Sequence, residues 1–241
     1  MICTDRIIVL QHTRFSDTSI IVQALSKLHG RISLMVYGVG GKNKNKIGFF
    51  HPLAILDVVY SYKADRGVQK LTEHKLSPPL LNCITDMRKS TMLTFLAEII
   101  NKCIREEIGD AEQFKFIETS IQILEQIDNG TNLFHIAFLT RLSRYLGFAP
   151  NNIDPLCLYF DIEQSEATIT RPHHKHYVST EFFLRIMEIS ALPYDQLGEV
   201  RISKSERDTM LDTIIKWYSF RISTMNSINS LEVLQDVFSV A

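Results

Sequence analysis

Over the first 76 residues, apolar side chains recur at every second position in short runs. Ile7–Gln11, Ser19–Leu25, Arg31–Tyr37, Leu53–Tyr60 and Val68–Glu73 are rich in Ile, Val, Leu and Tyr. Turn material separates them: RFSD, KLHG, GVGGKNKNK and KADRG. Alternation of period two, bounded by Gly, Asn, Asp and Ser, predicts strands. At Ser77–Leu80 the sequence SPPL stops the pattern, because proline cannot donate to a ladder and disfavours helix before it.

Beyond SPPL the apolar period lengthens to that of a helix. Met92, Leu96, Ile99, Ile100 and Cys103 form one stripe on a helix ending near Gly109. Phe114, Ile117, Ile121 and Leu124 form a second, capped by Asp110 with Gln113 three residues on. A third helix, capped by Thr131, carries Phe134, Phe138, Leu142 and Tyr145 and stops at Gly147. The segment 151–178 has no helical stripe; CLYFD and ATIT flanking a polar turn predict a small β-ribbon, packed through Leu158, Phe160 and Ile169. Helices resume at Ser179, and SALPYDQLGEV is a loop. SKSE at Ser203–Glu206 has capping-box spacing ahead of a helix striped by Leu211, Ile214, Ile215, Tyr218, Ile222 and Met225. Ser230 starts a short last helix.

The expected fold is therefore α+β. Five strands without an intervening helix suggest a small barrel at 1–76, of the five-stranded oligonucleotide-binding (OB) type or, second, SH3-like. A helical domain at 77–241, with the ribbon inserted at about 151–178, follows it. At 241 residues there is enough chain for two such cores. The first apolar run, Ile7–Leu10, is too short for a signal peptide, and no run is long enough to span a bilayer, so a cytoplasmic protein is expected. Cys3, Cys83, Cys103 and Cys157 form no CxxC pair, which fits reduced thiols.

Charge changes the picture. The chain carries a net charge of −1, but residues 1–76 hold eleven Lys and Arg against five Asp and Glu, a net +6, which leaves −7 for the rest. A basic barrel joined to an acidic remainder points to a polyanion site on the barrel. Arg14, Arg31, Lys42, Lys44, Lys46, Arg66 and Lys70 are its candidate phosphate contacts, interleaved with Phe15, Tyr37, Phe49, Phe50, Tyr60 and Tyr62. Basic grooves with aromatic platforms are how OB barrels hold single strands. Lysines on a glycine-rich loop favour contact to backbone without a base code; the competing reading is a solvated loop. Of the aromatic pair in FFHPL, one ring should face in and the other out. No phosphate-loop, G-x-S-x-G or H-E-x-x-H motif occurs, and no catalytic residue or cofactor is assigned. Cys157 with His173, His174 and His176 offers one cysteine where zinc ribbons have close pairs at both ends, so no metal is assigned. Arg141 and Arg144, late in the third helix, could hold an acidic peptide ending in an apolar residue.

Several segments recur in a recognisable order and spacing: Phe15–Ser19, Ser26–Gly30, Tyr37–Gly38, the basic Lys42–Lys46 and Phe50–Val58, then LTEHKL, YLGFAPN at Tyr145–Asn151 and SLEVLQDVF at Ser230–Phe238. Together they resemble the RecO family of bacterial recombination mediators, the first five its first domain and the last three its remainder. The resemblance implies an OB barrel followed by a helical domain, with no catalysis. It implies binding to single- and double-stranded DNA and annealing of complementary strands. It further implies loading of RecA with RecR on strands coated by single-strand-binding protein, whose acidic tail docks on the helical domain. A cytoplasmic, nucleoid-associated place follows; whether RecF takes part stays open. Many relatives carry four zinc cysteines after the LG-[FY]-x-P segment, where this sequence keeps only Cys157. A generic OB-type RNA-binding or interaction module is the alternative; it shares the basic loop but gives no reason for the C-terminal matches.

Overall fold

Strand β1 (Ile2–Ser16) is long because it serves two neighbours. In the computed structural model, which describes residues 1–39, 41–105 and 108–238 (backbone alone at 41–45), Ile2–Ile8 pairs with β4 (Ile55–Ser61). Ile7–Ser16 pairs with β2 (Ser19–Ser26). β3 (Gly30–Tyr37) runs antiparallel to β2, and β5 (Gln69–Leu76) antiparallel to β4. A short parallel pairing, Leu34 with Gln69 and Met35 with Lys70, closes the barrel in the order β1-β2-β3-β5-β4. This is the OB arrangement and not the SH3-like one. Only the middle of β1 is legible as a strand in the sequence. Its far end, from Gln11 onward, is exposed and polar, and bulges at Val9/Gln11 and Arg14/Ser16 interrupt the alternation.

The barrel core is built from the inward residues of every strand, among them Ile7, Val9, Val22, Ala24, Leu34, Leu56, Val58 and Tyr60. Between β3 and β4 the segment Gly41–Phe50, expected to be an irregular loop, is 3-10 helical. Turns bonded from i to i+3 satisfy the backbone locally where no ladder partner is offered. Phe50 is fully buried and Phe49 is 41 % exposed, the expected one-in, one-out split, although the pair lies on this helical turn and not on a strand. Leu53 then adopts a left-handed conformation (φ 56°) with its side chain fully buried. Its N–H donates to Val9 O at 2.8 Å, and Val9 N–H donates to Ala54 O at 2.9 Å. The left-handed backbone costs a non-glycine residue about 1–2 kcal/mol, which burying a leucine offsets at about 1.5–3 kcal/mol. The strand predicted from Leu53 consequently begins at Ile55.

Helices α1 (Leu81–Thr85), α2 (Met87–Cys103) and α3 (Ala111–Gln126) follow. Asp86 caps α2 by accepting from Arg88 and Lys89 N–H, and Asp110 Oδ1 caps α3 through Glu112 and Gln113 N–H. Glu125 bonds the free N–H groups of Asn82 and Cys83 at the start of α1, both at 2.8 Å. The change from strands to helices falls where SPPL placed it. Compactness divides the chain elsewhere, into Met1–Glu125 and Gln126–Ala241. The first unit holds the barrel with its following helices, tied by Arg6 Nε to Glu118 at 2.6 Å and by Arg31 to the end of α2. At Gly109, just before α3, an added Cβ would lie 2.7 Å from the carbonyl oxygens of both Lys27 and Leu28 in the β2–β3 turn.

The second unit is built on α4 (Thr131–Tyr145), α5 (Thr180–Ala191), α6 (Lys204–Arg221) and α7 (Leu231–Val237). Thr131 is the first residue of α4 and not its cap; Gly130, at φ 80°, holds the cap position. Ser203 caps α6 by accepting from Glu206 N–H, as its spacing predicts. The α6 stripe expected through Ile222 and Met225 ends at Arg221, where Ile222 turns extended; Met225 reaches the core from a 3-10 turn at Ser223–Asn226. A second 3-10 turn, Tyr194–Glu199, occupies the expected loop.

The ribbon has three strands, β6 (Tyr159–Asp161), β7 (Glu166–Thr168) and β8 (Tyr177–Ser179), in the order β7-β6-β8. Of the three residues expected to pack it, only Phe160 is buried. Leu158 is 61 % and Ile169 69 % exposed. β6 buries Phe160 and Asp161 while β7 and β8 bury no residue, so a single large ring carries the apolar packing of the strands. Phe160 stacks on Phe183 of α5 at 3.6 Å, and Phe183 meets the buried Trp217 of α6 edge-on. Ser165, in the β6–β7 turn, accepts from Trp217 Nε1 at 2.6 Å and Arg221 Nη2 at 2.8 Å. Among the described residues no helix is long and apolar enough to cross a membrane.

Candidate nucleic-acid interface

The barrel sorts its cations by the strands that carry them. Arg14 stands exposed at the end of β1, opposite Ile20. Nearby in the ladder, Phe15 and Tyr37 are 63 % and 60 % exposed. Lys70 is exposed on β5 beside Met35 of β3, and Arg66 lies on the exposed β4–β5 loop. Lys46, also exposed, follows on the 3-10 segment. Burial, and after it the Lys46 charge, holds the His74 imidazole below the ordinary histidine range. The side chains of Lys42 and Lys44 lie outside the described residues.

Arg31 is spent differently. Nη1 donates to Asn101 O at 2.8 Å and Ile104 O at 3.3 Å, and Nη2 to Gln23 Oε1 at 2.7 Å. The last carbonyls of a helix lack intrahelical donors, and an arginine fork supplies them. Burial, with Arg105 nearby, draws its pKa down. This guanidinium fastens α2 to the barrel, and only its remaining surface is open to a ligand.

Arg31 and Arg66 are brought together on one cavity of about 260 Å³, lined also by His29, Ser33, Tyr62 and Asp65. Arg14 belongs to the other end of β2, which at about 3.3 Å per residue lies roughly 20 Å away. His29 stacks on Tyr62 with ring centroids 4.1 Å apart. Gln69, nearly fully buried, locks the loop beside them. Its Oε1 accepts from Lys63 N–H at 2.8 Å, and its Nε2 donates to Lys63 O and Arg66 O at 2.9 and 2.7 Å. The sequence alone does not single out His29 or Gln69. Only the long-range pairing of β3 with β5 places them on one cavity, and no local spacing encodes that pairing. Of the aromatics considered as platforms, Tyr60 is fully buried and belongs to the core.

In the second unit, Arg141, one of the two expected peptide contacts, is engaged within the fold. Nε donates to Ser190 O at 2.7 Å, Nη2 donates to Leu192 O, and the guanidinium lies 4.0 Å over the Tyr194 ring. It closes the C-terminus of α5 as Arg31 closes that of α2. Arg144 stays exposed at the end of α4. His174 Nε2 sits 3.1 Å from Asp161 Oδ2, His176 Nε2 lies 3.7 Å from Glu163, and His173 is exposed. Cys157 is half-buried, and among the described residues no group of His, Cys, Asp or Glu is arranged to hold a metal ion.

Comparison with known proteins agrees with this architecture part by part. The family model described as Recombination protein O N terminal matches residues 1–79, and Recombination protein O C terminal matches 84–227. DNA repair protein RecO of Azobacteroides pseudotrichonymphae is 30% identical over 99% of this chain and 100% of its own length. Those of Bacteroides fragilis and Phocaeicola vulgatus are each 30% identical over 96% of this chain and 97% of theirs. With both halves matched in order, and a relative aligned from end to end, the chain belongs to the RecO family of DNA repair proteins.

Proposed function

We propose that this protein binds single- and double-stranded DNA through its barrel, anneals complementary strands, and works with RecR to load RecA on strands coated by single-strand-binding protein. Membership of the family over the whole chain is the observation that carries this reading. The basic barrel, with Arg14, Lys46, Arg66 and Lys70 exposed, supplies a physical means: cations that neutralise phosphates release condensed counterions. Lys42 and Lys44 are assigned to the same role from the sequence. Exposed Phe15, Tyr37 and Phe49 offer ring faces of the kind that hold unstacked bases. The acidic tail of single-strand-binding protein would dock on the helical unit, where Arg144 is the open cation of the expected pair. No turnover is assigned, and the protein acts in the cytoplasm on nucleoid DNA.

Annealing of complementary strands pre-coated with single-strand-binding protein tests the proposal. The protein should accelerate duplex formation and lose that effect as salt rises, without hydrolysing ATP or cutting either strand. An unchanged annealing rate at low salt refutes it.

A further inference from the structure

The cavity beside the β4–β5 loop carries an arrangement that phosphate binding alone does not explain. Asp5, nearly fully buried inside the barrel, receives Arg6 N–H on Oδ1 at 2.7 Å and, on Oδ2, the Ser26 hydroxyl and the Tyr60 hydroxyl, the latter at 3.0 Å. Tyr60 has one hydroxyl proton and gives it to Asp5, so its oxygen accepts from His29 Nδ1 at 2.7 Å. The relay places a proton on His29 Nδ1. It also fixes the ring's plane, against which Tyr62 stacks. A histidine oriented by a buried carboxylate and packed on a tyrosine is a rigid aromatic wall.

The loop locked by Gln69, which carries Arg66, lines the same cavity. The Arg66 guanidinium forms no ion pair or hydrogen bond among the described residues, unlike that of Arg31. Asp65 adds a carboxylate to the lining, a poor neighbour for a phosphate but a good acceptor for an exocyclic amine. At about 260 Å³ the cavity falls just below the range of sites for drug-sized ligands, which suits one planar heterocycle.

We propose that this cavity is a base-binding subsite for single-stranded DNA, in which one base continues the His29–Tyr62 stack and its phosphate meets Arg66. The proposal rests on the DNA-binding reading above and adds to it a place where a base, and not only the backbone, is held. An unpaired base is favoured, because a paired one must first give up its pairing and stacking to enter.

Equilibrium binding of the full chain to a labelled deoxycytidine oligomer, whose base carries an exocyclic amine, and to an abasic oligomer of equal length tests it. Wild type should prefer the base-bearing strand. Tyr62→Leu should lose about tenfold on that strand and little on the abasic one, in line with the worth of base–aromatic stacking. Arg66→Gln, on an exposed loop outside the core, should weaken both strands and reduce the slope of log affinity against log salt by about 0.7. Equal wild-type affinity for the two strands overturns the subsite, as does equal loss on both strands in Tyr62→Leu. So does wild-type affinity and salt slope in Arg66→Gln, which decides the matter even if Tyr62→Leu does not fold. If wild type binds neither strand, the DNA-binding reading itself has failed.

Discussion

The barrel and the ribbon are both small β-structures, yet they are held in opposite ways. The barrel closes its ladder and fills its own interior from all five strands, so its stability is spread over many medium-sized aliphatic side chains. The ribbon has three strands of three residues each and one buried ring among its strand positions pressed onto helices, Phe160 on Phe183. A closed sheet carries its own core, whereas a short open one depends on its support.

Removing that support should have the largest effect. Phe160→Ala should destabilise the second unit by about 3–5 kcal/mol, the usual cost of deleting a buried phenylalanine. Denaturant unfolding measures it, and limited proteolysis should show new cleavage within 151–178. If the barrel is independent of this ring, DNA binding by the variant survives.

Arg31→Gln probes the barrel's tie to α2 and should cost about 1–3 kcal/mol, from the partly buried carbonyls of Asn101 and Ile104 left without a donor. The salt slope of DNA binding should barely change, since this guanidinium is already engaged. A lowered slope at full stability would make Arg31 a phosphate contact after all.

Changing Lys42, Lys44 and Lys46 together to alanine should alter stability by no more than about 0.5 kcal/mol each. For every lysine that neutralises a phosphate, its removal should lower the single-strand salt slope by about 0.7. A folded variant with unaltered affinity and slope would make the segment a solvated connection. Smallest of all should be Leu158→Ser and Ile169→Ser, each within about 0.5 kcal/mol by thermal unfolding because both side chains are exposed. A loss comparable to Phe160→Ala would erase the contrast between the two β-structures.

The same contrast explains what could be read in advance. Alternation in β2 and β3 is written into consecutive residues, because one face of each meets the core. The ribbon's apolar residues Leu158 and Ile169 give a similar pattern yet stay largely exposed, and Trp217, central to its support, lies 57 positions beyond Phe160. The asparagine- and lysine-rich segment reads as irregular because hydropathy carries no sign of a 3-10 turn. The candidate site divides likewise. Cations are legible as residue types, but whether an arginine is open, as Arg66 is, or spent on carbonyls, as Arg31 and Arg141 are, depends on helix ends distant in sequence. The His29–Tyr60–Asp5 relay spans 55 residues and leaves no local trace.

Gly109 carries a consequence for anyone mapping function by saturation mutagenesis. It is not among the residues that line the cavity. Yet every side chain larger than hydrogen would push against the carbonyls of Lys27 and Leu28, in the turn that leads directly into His29. A screen scored on DNA binding would flag this position beside true contact residues. A screen scored on folded protein would separate them: variants at 109 should lose abundance and binding together, whereas variants at Arg66 should lose binding alone.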